Sequence, residues 1–234
     1  MTLTDDFDGE ILDTSWTAVG PDGSVSLADD GTEGWLQLSV PDGDYDAWGD
    51  NTTVRAMQAG PTGDFEVAAG FLSTPSERYQ IQGILVEQDA QNWIRFDIYS
   101  DGTQLYLFAA VTINGSTSKV LRIPIDAGEA DHLKVSRTGD DWTFSYSADG
   151  VNWSTAGTLT HTMAVTAIGP FAGATGETTG YVAQVDYFGD PAVEQDILAG
   201  DDALTTTADT ALVISIAGDL LANDTDPDGD PLTL

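Results

Sequence analysis

Short runs of alternating apolar and polar residues, broken by Asp, Gly, Asn and Pro, fill roughly the first 190 of the 234 residues. A period of two places successive side chains on opposite faces of a strand, so this pattern predicts an antiparallel all-β domain of the sandwich type. The clearest strand is Trp93 to Tyr99. There Ile94, Phe96 and Ile98 face one way, and Trp93, Arg95, Asp97 and Tyr99 face the other. The same reading places strands near 35–40, 52–58, 64–72, 80–87, 104–111, 119–125, 132–137, 141–147 and 181–188. Ser100-Asp101-Gly102, Asn114-Gly115, Thr138-Gly139-Asp140 and Asp149-Gly150 supply hairpin turns between several of them. Trp142, Phe144 and Tyr146 alternate with Thr143 and Ser145 and are expected in the core, while Asp149 is expected to cap its own hairpin. No amphipathic helix of three turns is visible; a short one is conceivable only near 194–199.

After Gly189-Asp190-Pro191 the composition shifts to Thr, Ala and Asp, and no aromatic residue follows. We expect a sandwich over 1–190, a linker over 191–203 and the truncated start of a second module over 204–234, with one strand near 211–216. That last stretch is too short to close a core of its own.

Charge narrows the partners. Thirty-nine Asp and Glu stand against 7 Lys and Arg, a formal net charge of −32. A polyphosphate would be repelled and would find few cations from which to displace counterions, so nucleic acid and anionic membrane surfaces are disfavoured. At 41% hydrophobic residues, with 6 Trp, 7 Tyr and 8 Phe, the chain still has ample material for a core. Apolar stretches fall short of the roughly 18–20 residues of a spanning helix. The Met1 start lacks a basic region followed by an apolar segment, so any export signal is expected to be absent, trimmed or elsewhere. With no Cys, there is neither disulfide nor thiolate chemistry. Acid-rich, lysine-poor chains suit high salt or a secreted, calcium-collecting protein.

Catalytic signals are weak. Retaining glycoside hydrolysis needs two carboxyl groups about 5 Å apart, but in Glu87-Gln88-Asp89-Ala90-Gln91-Asn92 the place of a second acid is taken by Asn92. Asp97 working with Glu87 is the remaining pair to consider. His132 and His161 lack zinc-ligand spacing, and there is no serine elbow, phosphate-binding glycine loop or dinucleotide fingerprint.

The runs Asp44–Asn51, Val54–Gln58, Gly63–Val67, Gly83–Val86, Asn92–Phe96, Ser147–Trp153 and Gly169–Gly173 together resemble the concanavalin A-like lectin and glucanase superfamily. The likeness spans about residues 5–188. More narrowly, it is to the β-sandwich modules appended to bacterial glycoside hydrolases and to laminin-G-like modules. It implies a jelly roll of two curved sheets with ligand on the concave face. The residues offer compatible chemistry: rings for the C–H faces of sugars, and planar donors and acceptors for their hydroxyls. Trp48, Asn51, Arg55, Gln82, Arg95, Asp97, Tyr99 and Tyr106 are the candidates for that face, although Arg95 and Asp97 also suit a structural ion pair and Trp48 an edge plug.

The resemblance further implies a structural calcium ion, with Asp6, the Gly34 carbonyl and Asp186 as hard oxygen donors. In the tail, Asp224, Asp226, Asp228 and Gly229 match the first half of a calcium-loop spacing, and the segment resembles the start of bacterial cadherin-like repeats. The expectation is a non-catalytic carbohydrate-binding module, monomeric within a larger secreted or cell-surface chain, taking a polysaccharide or oligosaccharide ligand and a structural Ca²⁺. The alternatives are a structural or adhesive spacer, whose concave face would be occluded by loops or filled by apolar side chains, and a glycoside hydrolase.

Overall fold

A computed structural model describes residues 4–31 and 33–191. The chain divides into Met1–Pro191 and Ala192–Leu234; the linker, short helix, strand and calcium-loop expectations beyond Pro191 lie outside the described residues. The strands, in chain order, are β1 (Thr17–Val19), β2 (Ser24–Asp29), β3 (Gly34–Val40), β4 (Gly43–Tyr45), β5 (Ala47–Trp48), β6 (Asp50–Asn51), β7 (Val54–Ala59), β8 (Phe65–Phe71) and β9 (Gln80–Asp89). They continue with β10 (Asn92–Ser100), β11 (Leu105–Ile113), β12 (Ser116–Ile125), β13 (His132–Thr138), β14 (Asp141–Ser147), β15 (Ser154–Thr160), β16 (Ala167–Thr178) and β17 (Tyr181–Gly189). No helix occurs among the described residues.

Two antiparallel sheets make a sandwich of jelly-roll type. The front sheet has eight strands in the order β1-β7-β16-β9-β10-β11-β12, with β4 also on β16; the back sheet has seven, in the order β15-β14-β13-β8-β17-β3-β2. The hairpins expected at Ser100–Gly102, Asn114-Gly115, Thr138–Asp140 and Asp149-Gly150 all form, joining β10 to β11, β11 to β12, β13 to β14 and β14 to β15. Asn114 has φ 49° and Gly115 φ 75°, the paired left-handed conformation that a two-residue hairpin turn demands. Asp149 accepts from the Val151 and Asn152 amides and from the Asn152 side chain, as a turn cap should.

Between the sheets lie Ile84, Val86, Ile94, Phe96, Leu107 and Ala109 from the front and Leu36, Leu38, Val67, Leu133, Val135, Trp142 and Phe144 from the back. Tyr146 packs at the margin of this core. Phe96 and Phe144, both fully buried, meet across the layers with ring centroids 5.3 Å apart; burying each ring is worth about 2–3 kcal/mol. The N-terminal segment closes one end: Asp5 pairs with Phe188, and Trp16 packs between Phe7 and Phe188 while donating to Asp5 Oδ2 at 2.6 Å.

The largest unexpected strand is β16, which runs through the middle of the front sheet. Its Gly-Pro-Phe-Ala-Gly composition reads as a loop, and Pro is uncommon in a central strand. Packing explains the glycine: a Cβ on Gly169 would lie 1.8 Å from the Ala56 carbonyl oxygen. A strand this tightly flanked is chosen for lack of bulk, which a propensity reading does not register.

Candidate ligand-binding face

The outer face of the front sheet follows from strand alternation. β10 directs Trp93, Arg95, Asp97 and Tyr99 outward, and its register sets them against Thr112, Ala110, Phe108 and Tyr106 of β11. On the other side they meet Glu87, Leu85, Gly83 and Ile81 of β9. Gly83 matters because it lies opposite Asp97. A Cβ there would come within 2.5 Å of Asp97 Cβ and 2.3 Å of the Phe96 carbonyl oxygen, so the ion pair above it fits only over a glycine.

Half of this face is closed by a strap, residues 43–53, folded around Gly49 at φ 85°. Ala47 is fully buried on the sheet among Met57, Leu85, Trp93 and Phe171. Trp93 Nε1 donates to the Ala47 carbonyl at 3.3 Å, the Gly49 amide donates to Thr117 Oγ1 at 2.9 Å, and Asn51 Nδ2 donates to Glu87 Oε1 at 2.9 Å. Beneath the strap Arg95 is clasped by two carboxylates: Nε and one terminal nitrogen reach Asp97 at 2.7 and 3.1 Å, and the other reaches Asp46 Oδ1 at 2.6 Å. The Arg95 and Asp97 side chains are 4% and 0% exposed. Burial opposes the charge on Arg95, but Asp97 and Asp46 together hold it above its ordinary value. Burial pushes the Asp97 carboxyl up to about 6, against the pull of Arg95. Nearby, Arg55 Nε lies 3.0 Å from Glu87 Oε1 but misaligned for a hydrogen bond, and burial lowers its pKa despite that neighbour.

The other half is open and aromatic. Arg122, Tyr106 and Tyr99 stack in sequence: the Arg122 guanidinium carbon is 3.5 Å from the Tyr106 ring centre, and the two tyrosine rings are 5.3 Å apart at 22°. Tyr79 stands 6.5 Å beyond Tyr99, covered in turn by Arg78 at 4.5 Å. Arg122 also donates to the Tyr99 hydroxyl. The faces of these tyrosines are thus largely spent on one another and on guanidinium groups, and Arg78 donates to the Tyr79 hydroxyl at 2.8 Å as Arg122 does to that of Tyr99. Trp48 differs. At the tip of the strap, 6.3 Å from Phe108, it remains 51% exposed.

The expected set therefore splits. Trp48, Tyr99 and Tyr106 join the open half; Asn51, Arg55, Arg95 and Asp97 belong to the closed half. Gln82 is a correction, because it faces the opposite way. It lies opposite Ile98 on the inner side of β9, 1% exposed, with Oε1 accepting from Ser73 Oγ and the Tyr181 hydroxyl and Nε2 donating to the Ser73 carbonyl. Phe108, Lys119 and Arg122 are additions. Phe108 is in phase with Tyr106 and so was legible in the alternation; Arg122 and Lys119 needed the β11–β12 register, which sets them opposite Phe108 and Ala110 across a bulge. Asp97 and Glu87 do not converge: the register separates them by four residues along neighbouring strands, about 13 Å at the usual rise, and each is held by an arginine.

At the corner expected to hold calcium, the three segments do approach one another. Gly34 donates to Asp8 Oδ1 at 2.7 Å, and Asp5 pairs with Phe188, two residues from Asp186. Asp6 Oδ1 accepts from the Asp8 amide at 3.2 Å. Among the described residues, however, no three acidic or histidine side chains converge. Two carboxylates and one carbonyl would supply about three to five of the six to eight oxygens of a calcium shell, so further donors would have to complete it.

Residues 22–188 match the family described as Protein of unknown function (DUF1349). The chain belongs to that family. In architecture it resembles the GH43 protein BlXynB from Bacillus licheniformis (TM-score 0.66, 22% identity), covering 79% of this chain and 38% of that one. It also resembles xylan beta-1,4-xylosidase from Bacillus halodurans C-125 (TM-score 0.62, 16% identity), over 80% of this chain and 38% of that one. A functionally unknown protein from Saccharomyces cerevisiae aligns at TM-score 0.51 and 15% identity, over 74% of this chain and 91% of that one. At these identities the DUF1349 chain shares a concanavalin-like sandwich fold with its neighbours, and it spans under two-fifths of either Bacillus protein. No curated sequence is similar enough to count as a relative.

Proposed function

We propose that this DUF1349 domain is a non-catalytic carbohydrate-binding module of a multi-modular exported protein, secreted or displayed at the cell surface, and monomeric within that chain. The saccharide rests on the open half of the front sheet, not in the filled half around Arg95. The observation that carries this reading is Trp48. Its ring is half exposed although both neighbouring residues are tied down, Ala47 to Trp93 and Gly49 to Thr117. A flat, pre-positioned ring on the same sheet face as Tyr99, Tyr106 and Arg122 suits a sugar, which presents C–H patches to the ring and hydroxyls to the polar groups. Affinity on such an open, wet surface is modest. Similarity in fold to modules within GH43 proteins is compatible with a carbohydrate-related role.

A polysaccharide panel in affinity gels, with reducing-sugar release measured on every hit, tests this. Retention without release, weakened about tenfold by Trp48→Ala, is the expected result. The second reading, a structural spacer, is favoured by the strap that fills the Arg95 half, and it becomes the better one if no polysaccharide is retained. We further propose that residues 204–234 begin a cadherin-like module after a linker at 191–203, and that calcium binds near Asp6, Gly34 and Asp186 with additional donors. A melting temperature unchanged by chelator at fixed ionic strength removes the calcium proposal.

A further inference from the structure

The few cations of this chain are not spread over it. All 7 Lys and Arg lie among the described residues, and five of them, Arg55, Arg78, Arg95, Lys119 and Arg122, belong to the front sheet or the loop leading into it. Two of these are spent inside the closed half, Arg95 on Asp97 and Asp46 and Arg55 beside Glu87. The exposed ones border the aromatic half. Arg122 lies flat on Tyr106, its nearest carboxylate, Asp101, at 3.7 Å. Lys119 projects from the same edge strand, two positions beyond Thr117, which anchors the strap tip beside Trp48. Arg78 covers Tyr79 at the far end of the ring column. In a chain with 39 acidic residues the exposed cations Arg78, Lys119 and Arg122 all border one ring platform, interspersed with Glu77, Asp50 and Asp101, while the two remaining cations, Lys134 and Arg137, are half-buried on the back sheet.

We infer that the ligand of this face is an acidic saccharide, one whose sugars carry isolated carboxylate or sulfate groups, with Trp48 taking a sugar ring and Arg122 and Lys119 taking the anion. This rests on the proposed carbohydrate-binding function and names the substrate class for it. Guanidinium forms paired, charge-assisted hydrogen bonds to a planar carboxylate that it cannot form to a hydroxyl. Sparse charge is part of the inference. The net charge of −32 repels a dense polyanion, whereas at physiological salt charges beyond about 8 Å are largely screened, so an isolated anion is held by the groups it touches.

The test uses the full chain and paired glycans: a glucuronic-acid-substituted xylan and the same polysaccharide after carboxyl reduction, with a sulfated galactan as the arm that separates sulfate from carboxylate. At constant ionic strength, retention of the native glucuronoxylan at least tenfold stronger than of its reduced form is expected. Arg122→Gln and Lys119→Gln should each erase most of that difference, while Lys134→Gln, a cation on the back sheet paired with Glu66, leaves it intact. Preference for the sulfated arm alone would assign the anion as sulfate. Equal retention of the native, reduced and sulfated glycans, or an equal loss in the Lys134 variant, overturns the inference but leaves carbohydrate binding standing. Retention of no polysaccharide at all overturns the binding function itself.

Discussion

The two halves of the front sheet's outer face carry the same kinds of residue and use them differently. Around Arg95 every charge has a protein partner, an apolar cluster of Ala47, Leu85, Trp93 and Phe171 fills the remaining space, and Arg95 and Asp97 themselves are shut off from solvent. Around Trp48 and Arg122 the rings and guanidinium groups contact one another yet stay at the surface. An outward-facing Arg beside an Asp on a strand is therefore no signature of a ligand. What separates the halves is the strap, which supplies Asp46 as the second carboxylate on one side and holds Trp48 out on the other.

The comparison breaks most severely at Arg95. Arg95→Ala strands Asp97 and Asp46 beneath the strap and is expected to cost about 3–5 kcal/mol of unfolding free energy, as for other buried pairs that lose one partner; urea denaturation reads it, and a cost near zero means the half is open to water. Trp48→Ala, by contrast, should cut glycan retention about tenfold, the equivalent of roughly 1.4 kcal/mol, with little change in the urea midpoint. If it unfolds the domain instead, Trp48 is a plug and the two halves are one. Asp46→Asn keeps the strap's shape but weakens its charge-assisted bond to Arg95, with an expected loss of about 1.5 kcal/mol.

Acidity sharpens the contrast. Because burial raises the Asp97 carboxyl from 3.8 to about 6, the folded protein holds that proton more tightly than the unfolded chain does. The corresponding stability is full below 3.8 and is lost as pH rises through about 6. Melting temperature should therefore fall between about pH 4 and 7 in the natural protein and fall less steeply in Asp97→Asn, which removes this one titration. The smallest effect is expected far from both halves. Asp149→Ala removes the acceptor for the Val151 and Asn152 amides, which should speed hydrogen exchange at those amides without altering glycan retention.

Alternation, turn residues and aromatic phase were enough to read the sandwich, ten of its strands, four hairpins and the core positions of Trp142 and Phe144, because each depends on neighbours close along the chain. The strand with Arg95 was read in the right phase, as was the outward direction of Tyr99 and Tyr106. Gln82 shows where a local reading slips. One residue out of phase moves a side chain from the surface to the core, and the phase of β9 is apparent only from its pairing with Ile98. Small-residue β16 escaped because what specifies it is the absence of side-chain volume between two neighbours that the sequence does not name. Only the tertiary structure could decide which outward groups stay outward: Asp46 lies 49 residues from Arg95 and Gly49 lies 68 from Thr117. Whether a charge is solvated or buried depends on what folds over it, a long-range fact that no spacing within a strand contains.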